Sequence, residues 1–177
     1  MPGKVIKPSK TGQQGILEQE KFMIKVLFIC HGNICRSPMA EYLFKDYVAK
    51  RNMANSFEIA SKATSNEEIG NSIYPPIKKI LDSLNIDSSK HRASRIKESD
   101  YDYYDYIICM DDINIYNLKK IIKNDNKHKI SKLLDYTDFK RNVLDPWYTR
   151  DFTSCYNDIA IGIEGLYKHI LKDSLSK

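Results

Sequence analysis

The chain has only four cysteines in 177 residues, at positions 30, 35, 109 and 155. In a domain of this length they do not form a disulfide framework, which excludes a small secreted scaffold. No apolar run approaches the roughly 18 residues that suggest a membrane span, and no basic-then-apolar leader opens the chain. No membrane partner is therefore expected, and the expected compartment is the cytoplasm. Excess charge is small as well. The net charge is +5, and Lys4, Lys7, Lys10 and Lys21 against Glu18 and Glu20 account for +2 of it. The remaining +3 can steer an anion but argues for no nucleic-acid partner. Arginine is used sparingly, at six of the 28 basic positions. No internal repeat is visible.

What is present is ordinary for a soluble globular protein, with 42% hydrophobic and 29% charged residues. The length suits one domain with a substantial core. Residues 1–22 hold three of the seven glycines and two of the six prolines, with little apolar periodicity. They are expected to be a flexible N-terminal extension, of the kind a cloning vector leaves behind, and residues 23–177 the single folded domain. From Met23 onward strand and helix signals alternate. Strands are expected at 24–29, 57–60, 106–110 and 130–134. Helices are expected after Pro38 (Met39, Ala40, Leu43, Phe44, Tyr47, Val48), over 74–84 (Ile77, Ile80, Leu81, Leu84), through Ile115, Leu118, Ile121 and Ile122, and from Phe152 to Ile170. The tyrosines at 101, 103, 104 and 106, interleaved with Asp100, Asp102 and Asp105, suggest a solvated edge. The predicted fold class is α/β: a single-domain, three-layer α/β/α arrangement with a four-stranded parallel sheet. Its ligand chemistry belongs at the C-terminal strand ends.

Cys30 lies at such an end. It follows the apolar run Ile24-Lys25-Val26-Leu27-Phe28-Ile29 and opens Cys30-His31-Gly32-Asn33-Ile34-Cys35-Arg36-Ser37, before Pro38 starts a helix. A short loop between strand and helix can turn its N–H groups onto a tetrahedral anion, with Arg36 as a bidentate clamp. Gly32 removes bulk where main chain must approach the ligand. The helix N-terminus and Arg36 favour the thiolate of Cys30, the form that attacks. Spacing alone is weak evidence: four cysteines and six arginines would give one such pair by chance in roughly one chain in seven. The strand before it and the Ser-Pro helix start after it supply the specificity.

Val26 to Glu41 resembles the signature of the low-molecular-weight protein tyrosine phosphatases. The likeness runs from about Met23 to the last helix. It includes Ala63-Thr64-Ser65 with Glu68-Ile69-Gly70, His91-Arg92-Ala93-Ser94, Cys109-Met110-Asp111 and Asp145-Pro146-Trp147-Tyr148. The resemblance implies that Cys30 attacks phosphorus to give a cysteinyl-phosphate. Arg36 and the loop N–H groups of His31, Gly32, Asn33, Ile34, Cys35 and Arg36 itself would hold the oxygens. Asp145 would serve as general acid and then base. Ser37 would assist the sulfur, and Trp147 and Tyr148 would wall the substrate ring. Ser61, His91 and Asp111 would support the site, with Asn33, Ser37, Ser61 and His91 holding the loop in shape. No metal and no cofactor are implied. The partners would be phosphotyrosine-containing proteins or peptides, with inorganic phosphate as product and the enzyme a monomer.

Other readings stand beside these. Cys35 is either a redox partner for Cys30 or a small core residue. His91 could be a local cap, and His31, His128 and His169 surface residues. Asp145-Pro146 alone would be an ordinary turn. The chain also departs from the family pattern. Acids at Glu67 and Glu68 replace an aromatic and would repel a dianion unless they point outward or meet a base. Lys62 replaces a frequent glycine, hinting at an altered turn. Ile34 suits an aryl ester better than phosphoarginine. A thiol-dependent arsenate reductase shares the fold but needs a mobile cysteine relay, for which Cys109 and Cys155 are badly placed. A non-catalytic phosphate-binding module would not need Cys30, Arg36 and Asp145 together.

Overall fold

A computed structural model describes residues 23–177, so the expected N-terminal extension lies outside the described residues. Four strands form one sheet: β1 (Ile24–Cys30), β2 (Phe57–Ala63), β3 (Tyr106–Cys109) and β4 (Ile130–Lys132), in the order β2-β1-β3-β4. Every pairing is parallel. Such a sheet needs cover on both faces, which is why β1 is apolar at successive positions and buried from Val26 through Cys30. Val26 and Phe28 enter one core, Leu27 and Ile29 the other.

The first core is covered by α1 (Arg36–Ala49), α2 (Pro75–Ser83) and the long α6 (Phe152–Leu175). From α1 come Met39, Leu43 and Phe44; from α6, Ile159, Ile163, Leu166 and Ile170. The second core is smaller. There α3 (Asp100–Tyr103) contributes Tyr101 and α4 (Asp112–Leu118) contributes Leu118. A short α5 (Pro146–Thr149) precedes α6. The chain leaves β1 for β2 on one side and returns to β3 on the other. This puts a topological switch point at the C-terminal end of β1, where open α/β sheets bind ligands.

The expected elements are present, with physical differences at several ends. The strand expected over 130–134 stops at Lys132, whose N–H donates to Asp135, and Leu133–Tyr136 coil into a 3₁₀ turn. The turn puts consecutive Leu133 and Leu134 into the same core, whereas a strand would send them to opposite faces of the sheet. β3 ends at Cys109, one residue short of Met110, whereas β2 runs on to Ala63. The helix after β3 ends at Leu118, and Ile121 and Ile122 fold back in a turn onto the Leu118 carbonyl. In α2 only Ile77 and Leu81 are buried, and Leu84 lies beyond the helix, exposed. The tyrosine-rich stretch is not solvated throughout: Asp102, Tyr103 and Asp105 are exposed as expected, but Tyr101 and Tyr104 are buried in the second core. Lys62 makes no altered turn either. It sits within β2, where its Nζ donates to both oxygens of Asp100 at 2.9 and 3.0 Å.

Candidate active site

The loop between β1 and α1 is organised around Asn33, which is fully buried with φ of +60°. Asparagine tolerates this left-handed conformation better than most residues. Its side chain then ties three segments together. Nδ2 donates to Ser37 Oγ at 2.8 Å and to Ser61 Oγ at 2.9 Å, while Oδ1 accepts from the Ser94 N–H at 3.1 Å. His91, also buried, donates from Nε2 to the Asn33 carbonyl at 2.8 Å, which fixes its tautomer and removes the local-cap reading.

These bonds have a direction. Ser37 Oγ accepts from Asn33, so its own proton is available to Cys30 Sγ, 2.9 Å away. The Asn33 N–H also points at that sulfur, at 3.3 Å. Ser61 likewise accepts from Asn33 and donates to Glu41 Oε1 at 2.7 Å. Glu41 is buried on α1, and its other oxygen accepts from Lys45 Nζ at 2.6 Å. The buried Glu41 carboxylate thus sets which way the Ser61 hydroxyl points, and Asn33, bonded to both serines, sets which way the Ser37 hydroxyl points, toward the thiol. The sequence places Glu41 at the end of the signature stretch without a role, and its i,i+4 spacing from Lys45 is the mark of an exposed helix face.

Arg36 is buried at the start of α1. Its Nη1 donates to Asp111 Oδ2 at 2.6 Å and to the Val143 carbonyl at 2.8 Å; its Nη2 lies 3.4 Å from Asp145 Oδ2. Burial opposes the charge, but Cys30, Asp111 and Asp145 outweigh it and hold the guanidinium above its ordinary range. Asp111 caps α4 through a capping box with Asn114, and Asp145 caps α5 by accepting from the Trp147 N–H at 3.0 Å. Helix capping therefore aims both carboxylates at Arg36. No letter of the sequence could have announced the Val143 carbonyl.

Above this group opens a pocket of about 340 Å³ with Cys30, Gly32 and Ile34 in its walls. Trp147 and Tyr148 line its mouth, and Trp147 rests on Tyr74 with ring centroids 5.1 Å apart. Glu67 meets the base its position demands: His31 Nε2, 3.0 Å away. Glu68 accepts from Asn71 Nδ2 at 2.6 Å, and its stem covers Gly32. His31 is therefore a rim residue of the pocket. Cys35 is buried beside the site, and burial pushes its thiol up. Burial likewise raises Cys155 to about 12, and Cys109 upward. All four cysteines are free. Among the described residues no three or more His, Cys, Asp or Glu side chains gather as a metal site, and no described helix is long and apolar enough to cross a membrane.

A thiol at a strand end with the Asn33 N–H aimed at it, a clamped guanidinium and a capping carboxylate are the parts that an oxyanion-binding nucleophile site needs. The family model for low molecular weight phosphotyrosine protein phosphatases matches residues 25–176. The low molecular weight protein-tyrosine-phosphatase YfkJ of Bacillus subtilis is 38% identical over 153 residues, covering 85% of this chain and 98% of the relative. The low molecular weight phosphotyrosine protein phosphatase of Saccharomyces cerevisiae is 42% identical over 148 residues, covering 80% and 91%. The crystal structure of YfkJ aligns with a TM-score of 0.82 over 85% of this chain and 96% of that one. Sequence, fold and site geometry converge, and the chain belongs to the low molecular weight phosphotyrosine protein phosphatase family.

Proposed function

We propose that the protein hydrolyses phosphotyrosine in proteins or peptides, and aryl phosphomonoesters generally, through a cysteinyl-phosphate on Cys30. The thiolate attacks phosphorus in line; the S–P bond forms as the P–O bond to the aryl group breaks. The loop N–H groups of residues 31–36 and the Arg36 fork carry the oxygen charge, so positioning and electrostatics supply most of the acceleration. Asp145 gives its proton to the departing phenolate, then takes one from the water that cleaves the S–P bond. Inorganic phosphate leaves and Cys30 returns as thiolate, held by the Ser37 hydroxyl.

The polar partners of Arg36 support this division of labour. Nη1 is fixed by Asp111 and Val143, whereas the longer Nη2 contact to Asp145 is the one a phosphate oxygen displaces. That exchange frees Asp145 for the leaving oxygen. Ser61, His91 and Asp111 act through Asn33 and Arg36 as positioning residues. Trp147 and Tyr148 flank the aryl ring, and Ile34 gives the pocket an apolar wall suited to it. The working unit is residues 23–177, acting as a monomer in the cytoplasm, with no metal or cofactor. Burial of Cys109 and Cys155 counts against a cysteine relay for arsenate reduction.

The observation that carries the proposal is the Cys30–Ser37–Asn33 triangle beneath the Arg36–Asp145 pair. Cys30→Ser is expected to abolish turnover of para-nitrophenyl phosphate while retaining vanadate binding. Residual turnover near that of the unaltered enzyme would remove Cys30 from the chemistry. Arsenate-dependent oxidation of thioredoxin without ester hydrolysis would replace the phosphatase with a reductase.

A further inference from the structure

A second hollow, of about 370 Å³, opens beside the phosphate pocket. The two share His31, Arg36, Asp145 and Tyr148 in their walls, so they lie side by side. On its outer side stand Ile113 of α4 and Leu144 of the loop before α5, exposed by 66% and 63%. Two branched aliphatic side chains left in water at the lip of a pocket gain free energy when covered. Asn117 also lines the hollow, and its amide N–H groups can donate to a peptide carbonyl.

Charge does not define this hollow. Asp111 and Asp145 both face Arg36. Nearby, Lys132 Nζ is taken up by Asp112 and Asn142, each at 2.9 Å. The lip that Glu67 and Glu68 give the phosphate pocket is different in kind, and neither lines the second hollow. A peptide whose phosphotyrosine ring stands beside Trp147 and Tyr148 must lay its flanking residues over these lips. An apolar residue gains only on the Ile113–Leu144 side.

We propose that this hollow receives a residue flanking phosphotyrosine in the peptide substrate and selects a large apolar side chain there. The inference rests on the phosphotyrosine reading of the adjoining pocket. The shared walls identify the occupant: a chain anchored in one hollow has its neighbouring residues at the mouth of the other.

The test compares kcat/KM for para-nitrophenyl phosphate and for two phosphotyrosyl peptides that differ only in Leu or Ser at the positions flanking phosphotyrosine. The unaltered enzyme is expected to favour the Leu peptide by roughly tenfold, the effect of partly burying one aliphatic side chain. Ile113→Ser and, separately, Leu144→Ser are expected to cut that preference at least threefold and to leave para-nitrophenyl phosphate turnover within twofold. Equal rates on the two peptides, or a preference that survives both substitutions, would overturn the proposal while leaving the phosphatase reading intact. No turnover of any ester would overturn both. Should the enzyme sediment as a dimer that Ile113→Ser splits, a second copy of the chain owns this surface and the peptide proposal falls.

Discussion

At the scale of single residues, the site is a problem in hydrogen-bond direction. A hydroxyl has one proton, and Ser37 is useful to Cys30 only if that proton points at sulfur. Asn33 ensures this by occupying the acceptor side of Ser37, and Glu41 does the same for Ser61 by taking its proton. Glu41→Ala is therefore expected to lower kcat for para-nitrophenyl phosphate by about tenfold, the scale of one net hydrogen bond. Glu41→Gln, whose amide oxygen still accepts from Ser61, is expected to recover most of that loss. Equal loss in both variants would show that charge or packing, not hydroxyl direction, is what Glu41 supplies. Cys30, Arg36 and Ser37 were legible because the loop chemistry is contiguous in the chain. Asp145 was legible because Asp-Pro-Trp-Tyr stands as a unit in a chain with one Trp. Glu41 was not, since its meaning depends on Ser61, twenty positions away on a neighbouring strand.

At the scale of elements, strand and helix interiors could be read from periodicity, and their ends could not. The 3₁₀ turn at Leu133–Tyr136 illustrates the limit: two adjacent leucines read as a strand, but the turn has to present both to α6. That packing is tight enough to explain the two glycines of α6. A Cβ on Gly162 would fall 2.4 Å from Leu133 Cγ, and one on Gly165 would fall 2.2 Å from the Tyr136 carbonyl oxygen. Leu133 can shift its side chain, whereas the Tyr136 oxygen belongs to main chain. Alanine in a helix interior ordinarily stabilises by about 1 kcal/mol relative to glycine. At Gly165 the clash is expected to exceed that gain, leaving a net loss of about 2 kcal/mol and a Tm lower by roughly 4–8 °C. Thermal unfolding of Gly165→Ala reads the sign directly; a raised Tm would mean that α6 can slide away from the turn at little cost.

For the whole molecule, the sheet order was the inference least accessible from the sequence, because nothing in β2 or β3 states on which side of β1 it lies. What closes the fold is α6, and its last turns are fastened to the sheet by polar chemistry. The Tyr106 hydroxyl on β3 donates to Asp173 Oδ2. That bond is the main reason the Asp173 carboxyl is held below its ordinary 3.8; burial opposes the shift, and Lys177 and His169 assist it. A carboxyl depressed in the folded state contributes stability that is present above its unfolded pKa and lost as pH falls through the folded one. At the other extreme, burial first, then the bond to Asp173, raises the Tyr106 phenol above its ordinary 10. A raised phenol contributes stability that is lost as pH rises through its folded pKa. Tyr106→Phe removes this bond and leaves Lys177 and His169 in place beside Asp173. The expected result is a Tm roughly 2–4 °C below that of the unaltered protein at neutral pH, about 1 kcal/mol at this chain length. The gap should narrow once pH falls below the ordinary carboxyl value and again in strong alkali. The absence of any gap at neutral pH would show that Tyr106 fastens α6 by the ring that Phe keeps, packed against His169 with 6.3 Å between centroids, and not through Asp173.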